Sequence, residues 1–269
     1  MEPIAEQPRR RRRGIYLLPN LFTTGTLFGG FYAIIAAQKG LAAQAAGDPQ
    51  DYFSQACFAI FAAMIADSLD GLIARKTHTS SEFGKEYDSL CDMVAFGVAA
   101  SLVMYSWSLH YFSDYHWLGG KLGWVICFTY TACAALRLAR FNVLASRGGA
   151  KGNFFGLPSP GAAAVVFGFV WAADASGLSP EVMMWPAAVV TLGAGLLMVT
   201  NLRFFSLKSL NLTGRVPFRY IVAAIGLFAL FLNDPPRIFF LAFAGYALTG
   251  PSIWLYRKVK RAPPEAPAS

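Results

Sequence analysis

The sequence predicts an all-α fold, a polytopic transmembrane helical bundle of about eight spans with both termini in the cytoplasm. Three observations carry this. The 269 residues are 55% hydrophobic and 14% charged, with a mean hydropathy of +0.44, whereas soluble domains are about one-quarter charged. Apolar stretches near the ~20 residues needed to cross a hydrocarbon core recur along the chain. The basic residues are unevenly distributed between those stretches. Together these exclude a soluble enzyme, a disordered chain and a nucleic-acid-binding domain.

The stretches run roughly over 17–37, 52–74, 87–112, 118–141, 160–175, 182–202, 220–232 and 237–256, the fifth and seventh being short. With a cytoplasmic N-terminus and one crossing each, only Lys39, Lys121 and Arg237 of the 23 lysines and arginines fall on the far side. That asymmetry is what the positive-inside rule requires. Residues 1–14 hold five consecutive arginines and no small-residue cleavage site before the first span, so they read as a cytoplasmic basic tail able to attract anionic membrane lipids. The Pro-rich end, 258–269, reads as a disordered cytoplasmic tail. Cys57, Cys91, Cys127 and Cys133 stand singly in apolar runs, which indicates neither a disulfide framework nor a zinc site. His78, His110 and His116 are scattered, and none is a candidate ligand.

The informative segment straddles the second and third stretches. Asp67 and Asp70 lie at i, i+3 near the end of one span, and Asp88 and Asp92 at i, i+4 near the start of the next, so each pair shares a helix face. An aspartate deep in a membrane helix costs about 2.5–3.5 kcal/mol on insertion scales. Four together require a cation, a water-filled cavity or both. Carboxylate and water oxygens suit hard divalent ions, commonly with phosphate supplied by a substrate. Gly71 and Ala74 leave helix surface open for a bulky ligand, and Arg75 can pair with phosphate. Taken singly, each residue has an ordinary role in packing, topology or helix electrostatics; the joint spacing points to a metal-assisted phosphoryl site.

Those residues spell D-x2-D-G-x2-A-R-x8-G-x3-D-x3-D through Asp67, Asp70, Gly71, Ala74, Arg75, Gly84, Asp88 and Asp92. In this the chain resembles the CDP-alcohol phosphotransferase family. The resemblance implies a membrane-embedded enzyme that moves a phosphoalcohol group from a CDP-alcohol to an acceptor hydroxyl and releases CMP. It implies Mg²⁺ or Mn²⁺ held by Asp67, Asp70 and Asp88, with Asp92 near the metals and serving as general base. It also places Asp70, Gly71, Ala74 and Arg75 at the donor nucleotide. Asn20 and Thr23, at the same depth, and Ser81, in the loop before Gly84, are further candidates for that nucleotide site, the alternatives being an ordinary helix N-terminus after Pro19 and loop solvation.

Further segments resemble the bacterial, integral-membrane branch of the family that uses CDP-diacylglycerol and L-serine: 18–23, 137–142, 156–160 and 198–203. A serine acceptor needs a cationic, donor-rich pocket, for which Arg137, Arg140 and Asn142 are suited in type and depth; their alternative role is topology anchoring. Other acceptors, such as glycerol 3-phosphate, inositol phosphate or choline, remain rivals, and a cation- or proton-coupled transporter is a remoter one. The expected organisation is a tail at 1–14, the family's membrane domain at 15–215, two additional helices at 216–257 with no evident chemistry, and the final tail. Gly25, Gly29 and Gly30 form a small-residue face able to pack helices within one chain or in a homodimer. The implied location is a bacterial cytoplasmic membrane, with the site facing the cytoplasm.

Overall fold

The computed structural model describes residues 17–47, 51–77, 81–114, 120–146, 156–202, 204, 226 and 229–260. All regular structure among them is helical. Helix α1 spans Leu17–Ala46, α2 Tyr52–Thr77, α3 Glu82–Asp92, α4 Ala100–Trp107, α5 Leu122–Ser146, α6 Ser159–Ala175, α7 Met184–Val199 and α8 Pro235–Lys260. A π-helical stretch, Met93–Ala99, joins α3 to α4. Five helices are long and apolar enough to cross a membrane: Asn20–Ala46, Tyr52–Ile73, Glu82–Trp107, Leu122–Leu144 and Pro235–Tyr256. Two shorter apolar helices, Ser159–Ala175 and Met184–Val199, complete the described set. The chain is a multi-pass membrane protein. Of the expected seventh stretch, 220–232, most lies outside the described residues, as do the 1–14 tail and the end of the chain.

The short α6 is the buried centre. Its run Gly161-Ala-Ala-Ala-Val-Val is buried throughout, and α2, α4, α7 and α8 all pack on it. Small side chains let four neighbours approach one axis. Large apolar residues instead face outward, among them Phe28, Phe58, Trp124, Phe128, Leu196 and Leu248. An exposed apolar surface of this kind suits lipid rather than water.

The small-residue face of α1 packs within this chain. A Cβ at Gly29 would lie 2.8 Å from the Ala59 carbonyl oxygen, and one at Gly30 would lie 2.6 Å from Ala95 Cα. Gly29 therefore admits α2, and Gly30 admits the π-helical stretch. The third span starts earlier than the hydropathy indicates because Ser81 caps α3, its Oγ accepting the Gly84 amide at 3.0 Å. Such a cap extends a helix into polar sequence.

Two features hold the site end of the bundle. The π-helical stretch begins directly after Asp92, and its wider turn presents carbonyls sideways. The Phe96 carbonyl accepts the buried Tyr130 hydroxyl at 2.9 Å, tying the π-helical stretch to α5. At Gly156 the chain turns with φ +80°, and a Cβ there would lie 2.3 Å from the Met198 carbonyl oxygen. The amides of Gly156 and Leu157 donate to Leu202 and Leu197 carbonyls, each at 3.0 Å. The start of α6, with Ser159, is thereby fixed at the end of α7.

Gly30→Leu should lower the thermal midpoint in detergent, since overpacking costs about 1–3 kcal/mol. Gly193→Ala, where an added Cβ meets nothing within 4 Å, should leave the midpoint unchanged. Equal behaviour of the two variants would contradict the close approach of α1 to the π-helical stretch.

Candidate metal and acceptor site

Antiparallel packing brings the end of α2 beside the start of α3. Asp67, Asp70 and Asp88 each offer a carboxylate oxygen, and these oxygens lie within 4.8 Å of one another. Asp70 is buried and Asp67 and Asp88 are half-buried. Three negative charges so close repel by at least about 3 kcal/mol per pair even at an effective dielectric constant of ~20. A hard divalent cation relieves that repulsion and matches an all-oxygen donor set. The arrangement therefore fits a metal ion, and Asp92 stands outside the trio.

Thr23, buried on α1, donates to Asp70 Oδ2 at 2.8 Å. This leaves the other Asp70 oxygen for a ligand and fixes the carboxylate's orientation. Asn20, one turn earlier, faces the first turn of α3, its Oδ1 lying 3.5 Å from the place a Cβ at Gly84 would occupy. Thr24 donates to the Asn20 carbonyl at 2.7 Å and also shares a 3.0 Å hydrogen bond with the Tyr87 hydroxyl. Tyr87 stacks on Phe83, with ring centroids 6.0 Å apart. Gly71 is half-buried beside Asp70. Ala74 and Arg75 continue α2, but their side chains lie outside the described residues.

Asp92 sits on the inner side of the cluster. Its carboxyl is in hydrogen-bond contact with that of Asp67, while its Oδ1 is buried without a partner. Arg137, from α5, is its cationic neighbour. Arg137 Nη1 donates to the buried Ser159 Oγ at 2.8 Å, and its Nε–H is buried without a partner. A buried carboxylate oxygen and a buried guanidinium nitrogen that both lack a partner are costly in an empty protein and suited to a polar ligand.

The other acceptor candidates are engaged in ties between helices. Arg140 Nη1 donates to Asn201 Oδ1 at 3.1 Å and to the Val199 carbonyl at 3.5 Å, joining α5 to the end of α7. Asn142 Nδ2 donates to Ser89 Oγ at 3.0 Å, joining α5 to α3. Neither bond involves Asp92. Ser81 is committed through its Oγ to capping α3.

Sequence reasoning passed over Ser159 as an individual residue. Helix α8 had no evident chemistry in the sequence, yet it packs on α6, where Tyr246 Cε1 lies 3.7 Å from the place a Cβ at Gly161 would occupy.

A second feature adjoins the carboxylates. An apolar groove of about 680 Å³ runs between α1 and α2, from Gly25 and Ala66 beside Asp67 to Tyr32 and Ser54. Phe28 and Phe58, which line it, are exposed on the bundle's outer face.

These features define an integral-membrane protein with a carboxylate-lined, divalent-metal-compatible site at one end of its helix bundle. Residues 16–193 match the model of the CDP-alcohol phosphatidyltransferase family, and the chain belongs to that family. Among curated proteins it is similar to the CDP-diacylglycerol–serine O-phosphatidyltransferase of Helicobacter pylori, at 32% identity over 91% of this chain and 94% of the relative. It is also similar to the Mycobacterium tuberculosis protein of the same name, at 30% identity over 82% and 71%. The archaetidylserine synthase of Methanothermobacter thermautotrophicus is 33% identical over 70% of this chain and 69% of its own length.

Thr23→Val should weaken Mn²⁺ binding by about tenfold, the lower end of what removing a ligand's hydrogen-bond partner costs. Electron paramagnetic resonance titration of free Mn²⁺ measures this directly. Unchanged affinity would remove Thr23 from the support of Asp70.

Proposed function

We propose that the protein transfers the phosphatidyl group of CDP-diacylglycerol to the hydroxyl of L-serine, giving phosphatidylserine and CMP. The family assignment and the names of relatives matched over most of their length support the reaction. One observation carries the division of roles: Asp92 Oδ1 and Arg137 Nε are each buried and unpartnered, on residues that interact electrostatically, and Asp92 adjoins a three-carboxylate cluster.

In this reading Asp67, Asp70 and Asp88 hold the divalent metal, with Asp92 at its edge. Mg²⁺ and Mn²⁺ are the candidate ions. When bound, the metal neutralises charge on the donor pyrophosphate and on departing CMP. Thr23 keeps the Asp70 carboxylate in place. Asn20, Gly71, Ala74 and Arg75 border the same end of α1 and α2 and are assigned to the nucleotide. The donor's acyl chains occupy the groove between α1 and α2, which begins beside Asp67 and opens onto the lipid-facing surface.

Serine enters on the opposite side of the carboxylates. Arg137 binds its carboxylate, a charge-assisted pairing that guanidinium geometry favours. Asp92 Oδ1 accepts the proton of the serine hydroxyl as the hydroxyl oxygen bonds to the phosphorus carrying diacylglycerol. The bond from that phosphorus to the CMP oxygen breaks, and CMP leaves with the electron pair. Arg140 and Asn142 keep α5 in register with α7 and α3 and do not contact serine.

The orientation follows from charge. The site end carries Arg137 and Arg140, while Lys39, Lys121 and Arg237 belong to the opposite end, so the site faces the cytoplasm. With bacterial relatives of the same name, this reading places the protein in a bacterial cytoplasmic membrane.

Purified protein with CDP-diacylglycerol and Mn²⁺ or Mg²⁺ should release CMP with L-serine and lose that activity with EDTA. Release only with glycerol 3-phosphate, inositol phosphate or choline would overturn the acceptor assignment. Asp92→Asn should reduce turnover by about 10²–10⁴-fold, the range of a lost general base, while still binding CDP-diacylglycerol. Near-normal turnover in that variant would contradict the role given to Asp92.

A further inference from the structure

We propose that Tyr87 is a positioning residue of the metal site, setting the place of Asp88 through its hydrogen bond to Thr24 on α1. The inference rests on the reading that Asp67, Asp70 and Asp88 hold the divalent metal.

The three carboxylates come from two helices, Asp67 and Asp70 from α2 and Asp88 from α3. Their charges push those helices apart, yet α2 and α3 share little contact with each other, whereas both pack on α1. The spacing between the two halves of the site is therefore set largely through α1. Two consecutive residues make the connection. Thr23 donates to Asp70 Oδ2 on α2 at 2.8 Å, and Thr24 Oγ lies 3.0 Å from the Tyr87 hydroxyl on α3. Successive side chains on a helix point about 100° apart, so adjacent threonines can reach two neighbouring helices.

The direction of the second bond is fixed. A hydroxyl carries one proton, and that of Thr24 goes to the Asn20 carbonyl at 2.7 Å. Thr24 Oγ therefore accepts from the Tyr87 hydroxyl. Phe83, one turn earlier on α3, stacks on the Tyr87 ring with centroids 6.0 Å and planes 10° apart, which restricts the phenol's rotation. Further along α1, a Cβ at Gly30 would lie 2.6 Å from Ala95 Cα in the π-helical continuation of α3. These two points pin the segment that carries Asp88 and Asp92 at its two ends. The carboxyl contact of Asp92 with Asp67 lies towards the inner end. Asn142, bonded to Ser89, ties the segment to α5 and not to the helix that carries Asp67 and Asp70. Asp88 adjoins the Tyr87 pin, so loss of the phenol hydroxyl frees the end that carries Asp88.

The test is Mn²⁺ binding to the full-length protein, read by electron paramagnetic resonance of the free ion, in Tyr87→Phe, which removes one oxygen and keeps the ring stack. Affinity should fall about fivefold, as for loss of one neutral hydrogen bond, and Thr24→Val should do the same. The double variant should fall no further than either single one, because both remove one shared bond. Thr24→Ser, which keeps the hydroxyl, should bind as the wild type does. The thermal midpoint of Tyr87→Phe should shift by no more than about 4 °C, the share of one hydrogen bond. Unchanged affinity in Tyr87→Phe, or additive losses in the double variant, overturns this inference alone. A larger fall in thermal midpoint, with Thr24→Ser as impaired as Thr24→Val, also overturns it, because that marks a purely structural role. Wild-type protein that binds no Mn²⁺ overturns the metal reading, and this inference with it.

Discussion

Everything at the site end of this bundle follows from mutual repulsion among carboxylates. Asp67, Asp70 and Asp88 bring three oxygens within 4.8 Å of one another in a helix bundle whose outer surface is apolar. Water alone compensates such a cluster poorly at that depth, and a divalent cation compensates it well. The cluster persists because the scaffold holds it: Gly29 and Gly30 let α1 lie against α2 and the π-helical stretch, and Thr23 then reaches Asp70. The Tyr130 bond to the Phe96 carbonyl and the Gly156 turn fix α5 and α6 opposite.

In the proposed reading the same packing separates two tasks that would otherwise compete. Three carboxylates face the donor and its metal, while a fourth keeps one oxygen buried and unpartnered next to Arg137. A base fully occupied by a cation could not take a proton, and one far from it could not act at the reacting phosphorus. Asp92 is four residues after Asp88, just before the helix widens, which puts it one turn deeper than the trio's entrance. The apolar groove between α1 and α2 gives the donor's lipid part a place outside the polar site.

The fold class was legible from composition, and the carboxylate site from spacing, because i, i+3 and i, i+4 offsets on apolar helices constrain which side chains meet. The split between Asp92 and the other three came from the family resemblance and not from spacing, which treats the four alike; the cluster of Asp67, Asp70 and Asp88 oxygens is in keeping with it. Arg137, Arg140 and Asn142 look equivalent in sequence; packing ties Arg140 to Asn201 and Asn142 to Ser89, while Arg137 bonds Ser159 and interacts electrostatically with Asp92. The start of α3 was placed late because its first turn is polar and is made helical by the Ser81 cap. The C-terminal helix packs on the buried α6 as well as facing lipid.

The central claim is the division between metal-holding carboxylates and a free base. Locating Mn²⁺ by anomalous diffraction from crystals of the full-length protein tests it most directly. The account predicts manganese within coordination distance of Asp67, Asp70 and Asp88, with Asp92 Oδ1 left off the metal and facing Arg137. Manganese chelated by both oxygens of Asp92, or bound away from the trio, would contradict it.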